Sequence, residues 1–154
     1  VKRKAVIFDL DGTLCNYNHR RPLITGSKKD WDAFLSACDK DTPNRWAVKL
    51  VQMYSYPPAG YRIMFVTGRG REYEEKTRAW IYSYLGWGRL QNRYALYMRP
   101  EKDSRPDDEI KKEIYLRDIE PFFDVEVVID DRTREVKMWR SLGLTCLQCD
   151  DGNF

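Results

Sequence analysis

Histidine is nearly absent: the chain of 154 residues contains one, His19. Any Ser-His-Asp triad would have to use that residue, and a metal site needing two imidazoles is excluded. His19 falls in a polar stretch and is expected as a solvated neighbour of a site rather than a catalyst. No apolar run approaches the roughly 20 residues needed to cross a bilayer, so no membrane partner is expected. The opening "VKRKAVIFDL" is not expected to act as a secretory leader, because Asp9 breaks its apolar part. Cysteines are few (Cys15, Cys38, Cys146 and Cys149), and the last two form a lone CxxC. In a strand, an offset of three puts those side chains on opposite faces, which argues for reduced structural thiols and a cytoplasmic setting over zinc. Neither sign of charge dominates, since 27 Lys and Arg face 24 Asp and Glu for a net +3. That balance tolerates an anionic substrate without making a surface that coats nucleic acid. A GxxxxGK[ST] phosphate loop is missing too, because "TGSKK" (25–29) has the wrong spacing.

Hydrophobic residues at 42% and aromatics at 14% are enough for one packed core. A continuous apolar run at "AVIF" (5–8) predicts a strand buried on both faces, and "YRIMFVTGR" (61–69) predicts a second buried strand closed by a Gly turn. "YALYMRP" (94–100), "VEVVIDD" (125–131) and "LTCLQC" (144–149) predict three more strands. Helical spacing is predicted over 45–56, 72–85, 107–119 and 132–142. A short helix is also expected within "DWDAFLSACDKDTPN". Strands alternating with helices specify an α/β domain with a central parallel sheet covered on both faces. No repeat or linker interrupts residues 1–154, so one domain is expected, with a cap-like insertion at about 15–44.

Why does the first strand end in two acids, Asp9 and Asp11, followed by Gly12 and Thr13? An acidic turn would explain that stretch alone. Three strand ends, however, carry unusual chemistry: Asp9 and Asp11, then Thr67-Gly68-Arg69, then Asp130 and Asp131. In an open parallel sheet, ligands bind at the carboxyl ends of strands, so these can share one crevice. Four Asp residues there need a cation, and oxygen ligands suit a hard ion such as Mg²⁺.

These residues resemble the haloacid dehalogenase superfamily of phosphotransferases through "DLDGT" (9–13), "VTGR" (66–69), a helix-borne lysine (Lys111 or Lys112) and "IDD" (129–131). The resemblance implies a Rossmann-like haloacid dehalogenase fold. It also implies Asp9 as nucleophile, forming an aspartyl-phosphate, and Asp11 as general acid and base. Asp130 would ligate Mg²⁺ directly with an Asp9 oxygen and the Asp11 backbone carbonyl, and Asp131 would act through a metal-bound water. Thr67 and the backbone around Gly68 would hold the phosphoryl group. The stretches "RPEKDSRPDDEIKKEI" (99–114), "FFDVEVVIDDRTREVKMWRSLGLTC" (122–146), "NYNHRRP" and the ending "DGNF" are further similar to the 3′-phosphatase domain of bacteriophage polynucleotide kinase–phosphatases. That likeness implies removal of a 3′-phosphate, or a 2′,3′-cyclic phosphate, from RNA or DNA ends in the cytoplasm of an infected or bacterial host. Arg20, Arg69, Arg99 and Asp107 would shape the site and grip the strand, with Lys111 as the catalytic lysine. Lys112 is the neighbour of Lys111, but Lys111 lies one helical turn after Asp107 and can share its face, whereas Arg20 has Arg21 beside it and that assignment could slip by one. A kinase domain, fused or separate, and a ligase are implied as partners, and a homo-oligomer stays open. The chain itself is expected to be an excised or separate phosphatase domain.

Two other readings compete. A sugar or nucleotide phosphatase of the same superfamily would share the chemistry, although a short insert leaves the crevice open to a polymer end. A phosphoacceptor signalling domain also uses strand-end acids and a lysine, but its paired acids are not followed by "DGT". Trp31, Trp46, Trp80, Trp87 and Trp139 are mostly expected in the core, Tyr17 is a candidate to stack on a terminal base, and Arg105 is either a phosphate contact or a solvated loop residue.

Overall fold

The protein is described here by a computed structural model covering residues 1–86 and 94–152. Trp87, and Asn153 and Phe154 of the final "DGNF", lie outside the described residues.

The apolar runs form a five-stranded sheet from β1 (Arg3–Phe8), β4 (Arg62–Gly70), β5 (Tyr94–Arg99), β6 (Phe123–Asp130) and β7 (Cys146–Gln148), in the order β5-β4-β1-β6-β7. Every pairing is parallel. Alternation along each strand sends side chains to two separate cores. Val6, Phe8, Ile63, Phe65, Val127 and Ile129 face one layer of helices. Ala5, Ile7, Met64, Val66 and Val128 face the other. The first layer is α3 (Arg45–Ser55) and α4 (Glu74–Leu85), contributing Ala47, Val51, Trp80, Ile81 and Leu85. The second is α5 (Asp107–Ile114) and α6 (Thr133–Ser141), contributing Ile110, Ile114, Val136 and Trp139. Each fully buried aliphatic or aromatic side chain stabilises the fold by about 1.5–3 kcal/mol, which accounts for the continuous apolar runs in the strands.

Register places the site. Phe8 pairs with Phe65 on one side and Ile129 on the other, so Asp9, Thr67 and Asp130 emerge along one edge. The chain runs outward from β1 to β4 and β5, then crosses to β6 and β7, so the strand order reverses beside β1. Such a reversal opens a crevice at the carboxyl ends of the strands.

Between β1 and α3 lies an insertion closed at its base by a two-stranded antiparallel ribbon, β2 (Cys15–Asn16) against β3 (Thr42–Pro43). It carries two short helices, α1 (Pro22–Thr25) and α2 (Trp31–Ser36), around a small cluster of Tyr17, Ile24 and Phe34. The Asp30 carboxylate accepts the Ala33 N–H at 2.9 Å and starts α2, as a capping side chain does.

Several local expectations change. The segment 67–70 is not a turn; β4 continues through it with a register shift between Thr67 and Gly70. The helix expected over 107–119 is α-helical only to Ile114 and widens into a π turn at Tyr115–Ile119. Trp80 and Trp139 are buried, but Trp31 and Trp46 are 43% and 42% exposed, because α2 and α3 turn those positions away from their cores. Tyr17 is buried edge-on against Phe34, so its ring is a packing element and does not present a face to a base. Cys146 and Cys149 are free thiols on opposite faces of the sheet. Among the described residues, no helix is long and apolar enough to cross a membrane.

Candidate active site

Asp9 leaves β1 with its N–H donated to the Ile129 carbonyl at 3.0 Å, which fixes the strand end against β6. Its buried carboxylate accepts from Lys111 Nζ at 2.8 Å and from the Thr13 hydroxyl at 3.4 Å. The same lysine reaches Asp130 Oδ2 at 2.9 Å. Lys111 sits on the inner face of α5, while Lys112 is exposed, so the choice between the two lysines falls on Lys111. Burial works against the Lys111 charge, but Asp130 and Asp9 more than offset it and push its pKa well up. Burial, with Asp130 and Asp131 adding repulsion, pushes Asp9 up against the pull of Lys111.

Asp9, Asp130 and Asp131 are all buried, and one oxygen from each lies within 4.8 Å of the others. Three buried carboxylates against one buried lysine leave an excess of negative charge. Burial, then Asp130, raises Asp131 to about 7. Its Oδ1 has no hydrogen-bond partner among the described residues. Crowded, under-neutralised oxygens of this kind fit a hard divalent cation. The Trp139 indole donates to Asp130 Oδ2 at 3.0 Å, the oxygen that also accepts from Lys111, while Oδ1 accepts the Arg132 N–H at 3.4 Å.

Glycines make room for this packing. A Cβ on Gly12, whose φ is +89°, would lie 2.2 Å from Asp131 Oδ2 and 2.9 Å from the Tyr17 ring. One on Gly68 would lie 2.5 Å from the Asp107 carboxylate. The buried Thr67 hydroxyl accepts the Arg69 N–H at 3.1 Å, which leaves its own O–H to donate.

Asp11 turns away from the trio. Its carboxylate accepts from Arg69 Nε at 3.0 Å, from Arg69 Nη2 at 2.5 Å and from Arg20 Nη2. Burial alone would raise its pKa, but Arg69 and Arg20 hold it well below the usual carboxylate range. Both arginines are buried, and Asp41 holds them from behind. Asp41 accepts from Arg20 at 2.7 and 2.6 Å and from Arg69 at 3.2 Å. His19 lies on the same Asp41 at 2.8 Å, as a half-exposed neighbour. Arg20, not the exposed Arg21, is therefore the residue built into the site. Arg99 donates to the Gly68 carbonyl at 2.8 Å and to Asp107, whose other oxygen accepts from Arg132 at 3.2 Å. Arg105 is on the surface, paired with Asp103 and Glu113, as a solvated loop residue would be.

The structure places the sequence-predicted site residues at one edge of the sheet in three groups: the trio with Lys111, Asp11 with Arg20 and Arg69, and Arg99 with Asp107 and the Gly68 carbonyl. Asp41, Trp139 and Arg132 were missed. Asp41 and its guanidinium partners are 21 and 28 residues apart, so no local pattern marks it.

A parallel sheet with a paired-acid β1 end, a helix-borne lysine and an acid pair after β6 defines a phosphatase of the haloacid dehalogenase type. Consistent with that fold, a class C acid phosphatase from Bacillus anthracis superposes with a TM-score of 0.60 at 15% identity, over 85% of this chain and 53% of its own. Residues 3–154 match the family model for the polynucleotide kinase PNKP phosphatase domain, and the chain belongs to that family. A chain of the Pnkp1/Rnl/Hen1 RNA repair complex superposes with a TM-score of 0.82 at 35% identity, over 99% of this chain and 44% of its own. A protein of Autographa californica nuclear polyhedrosis virus, described as a bifunctional polynucleotide kinase/RNA ligase, is 35% identical over 139 residues, which are 90% of this chain and 18% of its own. The chain therefore spans less than half of either relative.

Proposed function

We propose that this phosphatase domain removes the 3′-phosphate from polynucleotide ends during RNA repair, with Asp9 as the nucleophile. The observation that carries the mechanism is the buried Asp9 carboxylate, held by Lys111 at 2.8 Å beside Asp130 and Asp131. Membership in the phosphatase-domain family of polynucleotide kinases supports the substrate class. Asp9, Asp130 and Asp131 would hold Mg²⁺, which when bound neutralises charge on the acids and on the phosphoryl oxygens.

Asp9 attacks phosphorus, the bond to the 3′ oxygen breaks, and an aspartyl-phosphate forms. Lys111, buried and charged, stays beside Asp9 and offsets the charge that builds on the phosphoryl group. Thr67 O–H is placed to donate to a phosphoryl oxygen. Asp11 protonates the leaving oxygen and then, as a carboxylate, takes a proton from the water that attacks the phosphorus, which breaks the Asp9 oxygen–phosphorus bond and releases phosphate and free Asp9. In the resting arrangement Asp11 is ionised in the grip of Arg20 and Arg69, which suits the second role. The first role needs release from that grip, since an incoming phosphate competes for the same N–H donors, and a proton, which the entering phosphate monoanion or solvent water supplies to Asp11. The family resemblance extends the reading to 2′,3′-cyclic ends. Kinase and ligase activities on the same or an associated polypeptide are the partners that the relatives suggest.

The test is competition between 3′- and 5′-phosphorylated oligoribonucleotides, with a panel of sugar phosphates alongside. Both ends are monoesters of similar reactivity, so a preference must come from contacts to the sugar and the inner phosphates. Faster release from the 3′ end is expected, with weak dependence on base sequence. A preference for any sugar phosphate would assign the domain to small molecules instead.

A further inference from the structure

Among the described residues, Trp31 is the large aromatic of the insertion that stays exposed. Its ring lies edge-on against Phe34, with centroids 5.8 Å apart, and remains 43% exposed. Phe34 is buried and carries the Arg20 guanidinium 4.1 Å from its ring centre. Arg20 in turn donates to Asp11. One aromatic ring therefore separates Trp31 from the residue that holds the candidate acid. On the open side, Lys29 Nζ stands 5.8 Å from the Trp31 ring centre. Lys28, Lys29, Asp30, Trp31 and Asp32 line an open hollow of about 470 Å³. Among the described residues, the other exposed large aromatics are on α3, α4 and the turn before β6, outside the insertion.

We propose that Trp31, with Lys28 and Lys29, is a stacking platform for an inner nucleobase of a single-stranded polynucleotide whose 3′-phosphorylated end occupies the Asp9 site. The inference rests on the polynucleotide reading above. Every base presents a π face to an indole, so such a platform accepts any sequence. Asp30 is committed to capping α2. Asp32 opposes an anion in the same hollow, so the ring carries more of the contact than the charge does. The two lysines offset Asp32 and meet the backbone, and being exposed they are weakened by salt.

Trp31 is on the surface, so its replacement should leave the fold intact. Trp31→Ala and Trp31→Phe are compared with the wild type on a 3′-phosphorylated oligoribonucleotide and on a nucleoside 3′-monophosphate, which is too short to reach the platform. For Trp31→Ala, KM on the oligoribonucleotide should rise roughly 5- to 100-fold, as expected for one lost base stack. Its kcat, and both constants on the mononucleotide, should hold, and Trp31→Phe should recover most of the loss. A 3′-hydroxyl oligoribonucleotide, which is not turned over, should quench tryptophan fluorescence in the wild type, with the quench reduced in Trp31→Phe. Equal effects of Trp31→Ala on the two substrates, or no effect on either, would overturn the platform. If the wild type released no phosphate from the oligoribonucleotide, the proposed function would fail; a quench that was absent or unchanged in Trp31→Phe would then overturn the platform independently.

Discussion

Asp9→Asn is expected to fold normally and to lose turnover by on the order of 10⁴-fold or more, the scale on which enzymes respond to removal of their nucleophile. An amide is a poor nucleophile towards phosphorus and cannot form the acyl-phosphate. Stability should not suffer. Asp9 is buried beside Asp130 and Asp131, so neutralising it removes a repulsion. Lys111 keeps its contact with Asp130 at 2.9 Å. Thermal melting without added metal should therefore show a midpoint at or above that of the wild type. Phosphate release from a 3′-phosphorylated oligoribonucleotide should be at background. Appreciable turnover by the folded variant would rule out Asp9 as nucleophile.

Lys111→Met should damage both stability and chemistry. Methionine fills similar space but removes the buried cation that bridges Asp9 and Asp130. Breaking a buried ion pair from one side costs about 3–5 kcal/mol, because the remaining charges are left uncompensated. Turnover should fall by about 10³-fold, since a fixed charge aimed at the transferring phosphoryl group is lost. Denaturant unfolding in chelator reads the first effect. Added Mg²⁺ should return part of the lost stability, because it supplies positive charge to the same carboxylates. A variant as stable as the wild type in chelator would mean that Lys111 does not compensate this cluster.

The centre of the sheet was legible because β1 and β4 carry buried apolar runs, and because acids at strand ends are costly without a purpose. Asp9, Asp130 and Asp131 stood out for that reason. Lys111 was separable from Lys112 only through the helical turn it shares with Asp107, and burial on α5 makes the choice. The rest depended on contacts that local pattern does not encode. Asp41 reads as one more acid in a polar turn until Arg20 and Arg69 close on it. Trp139 reads as a core residue, which it is, but its N–H also aims the Asp130 carboxylate. Gly68 reads as a turn, whereas the Asp107 carboxylate packed against it leaves no room for a Cβ and the strand continues. Tyr17 and Trp31 exchanged their expected places. The insertion is small enough that its cluster buries Tyr17 and Phe34 and leaves Trp31 outside.

Acid-quenched single turnover of a 3′-³²P-phosphorylated oligoribonucleotide tests the Asp9 chemistry most directly. Label should pass transiently onto the protein before inorganic phosphate appears, should be released by hydroxylamine as an acyl-phosphate is, and should map to the peptide containing Asp9. The Asp9→Asn protein should carry none. Phosphate released with no protein-bound label, or label that persists in Asp9→Asn, would contradict attack by Asp9.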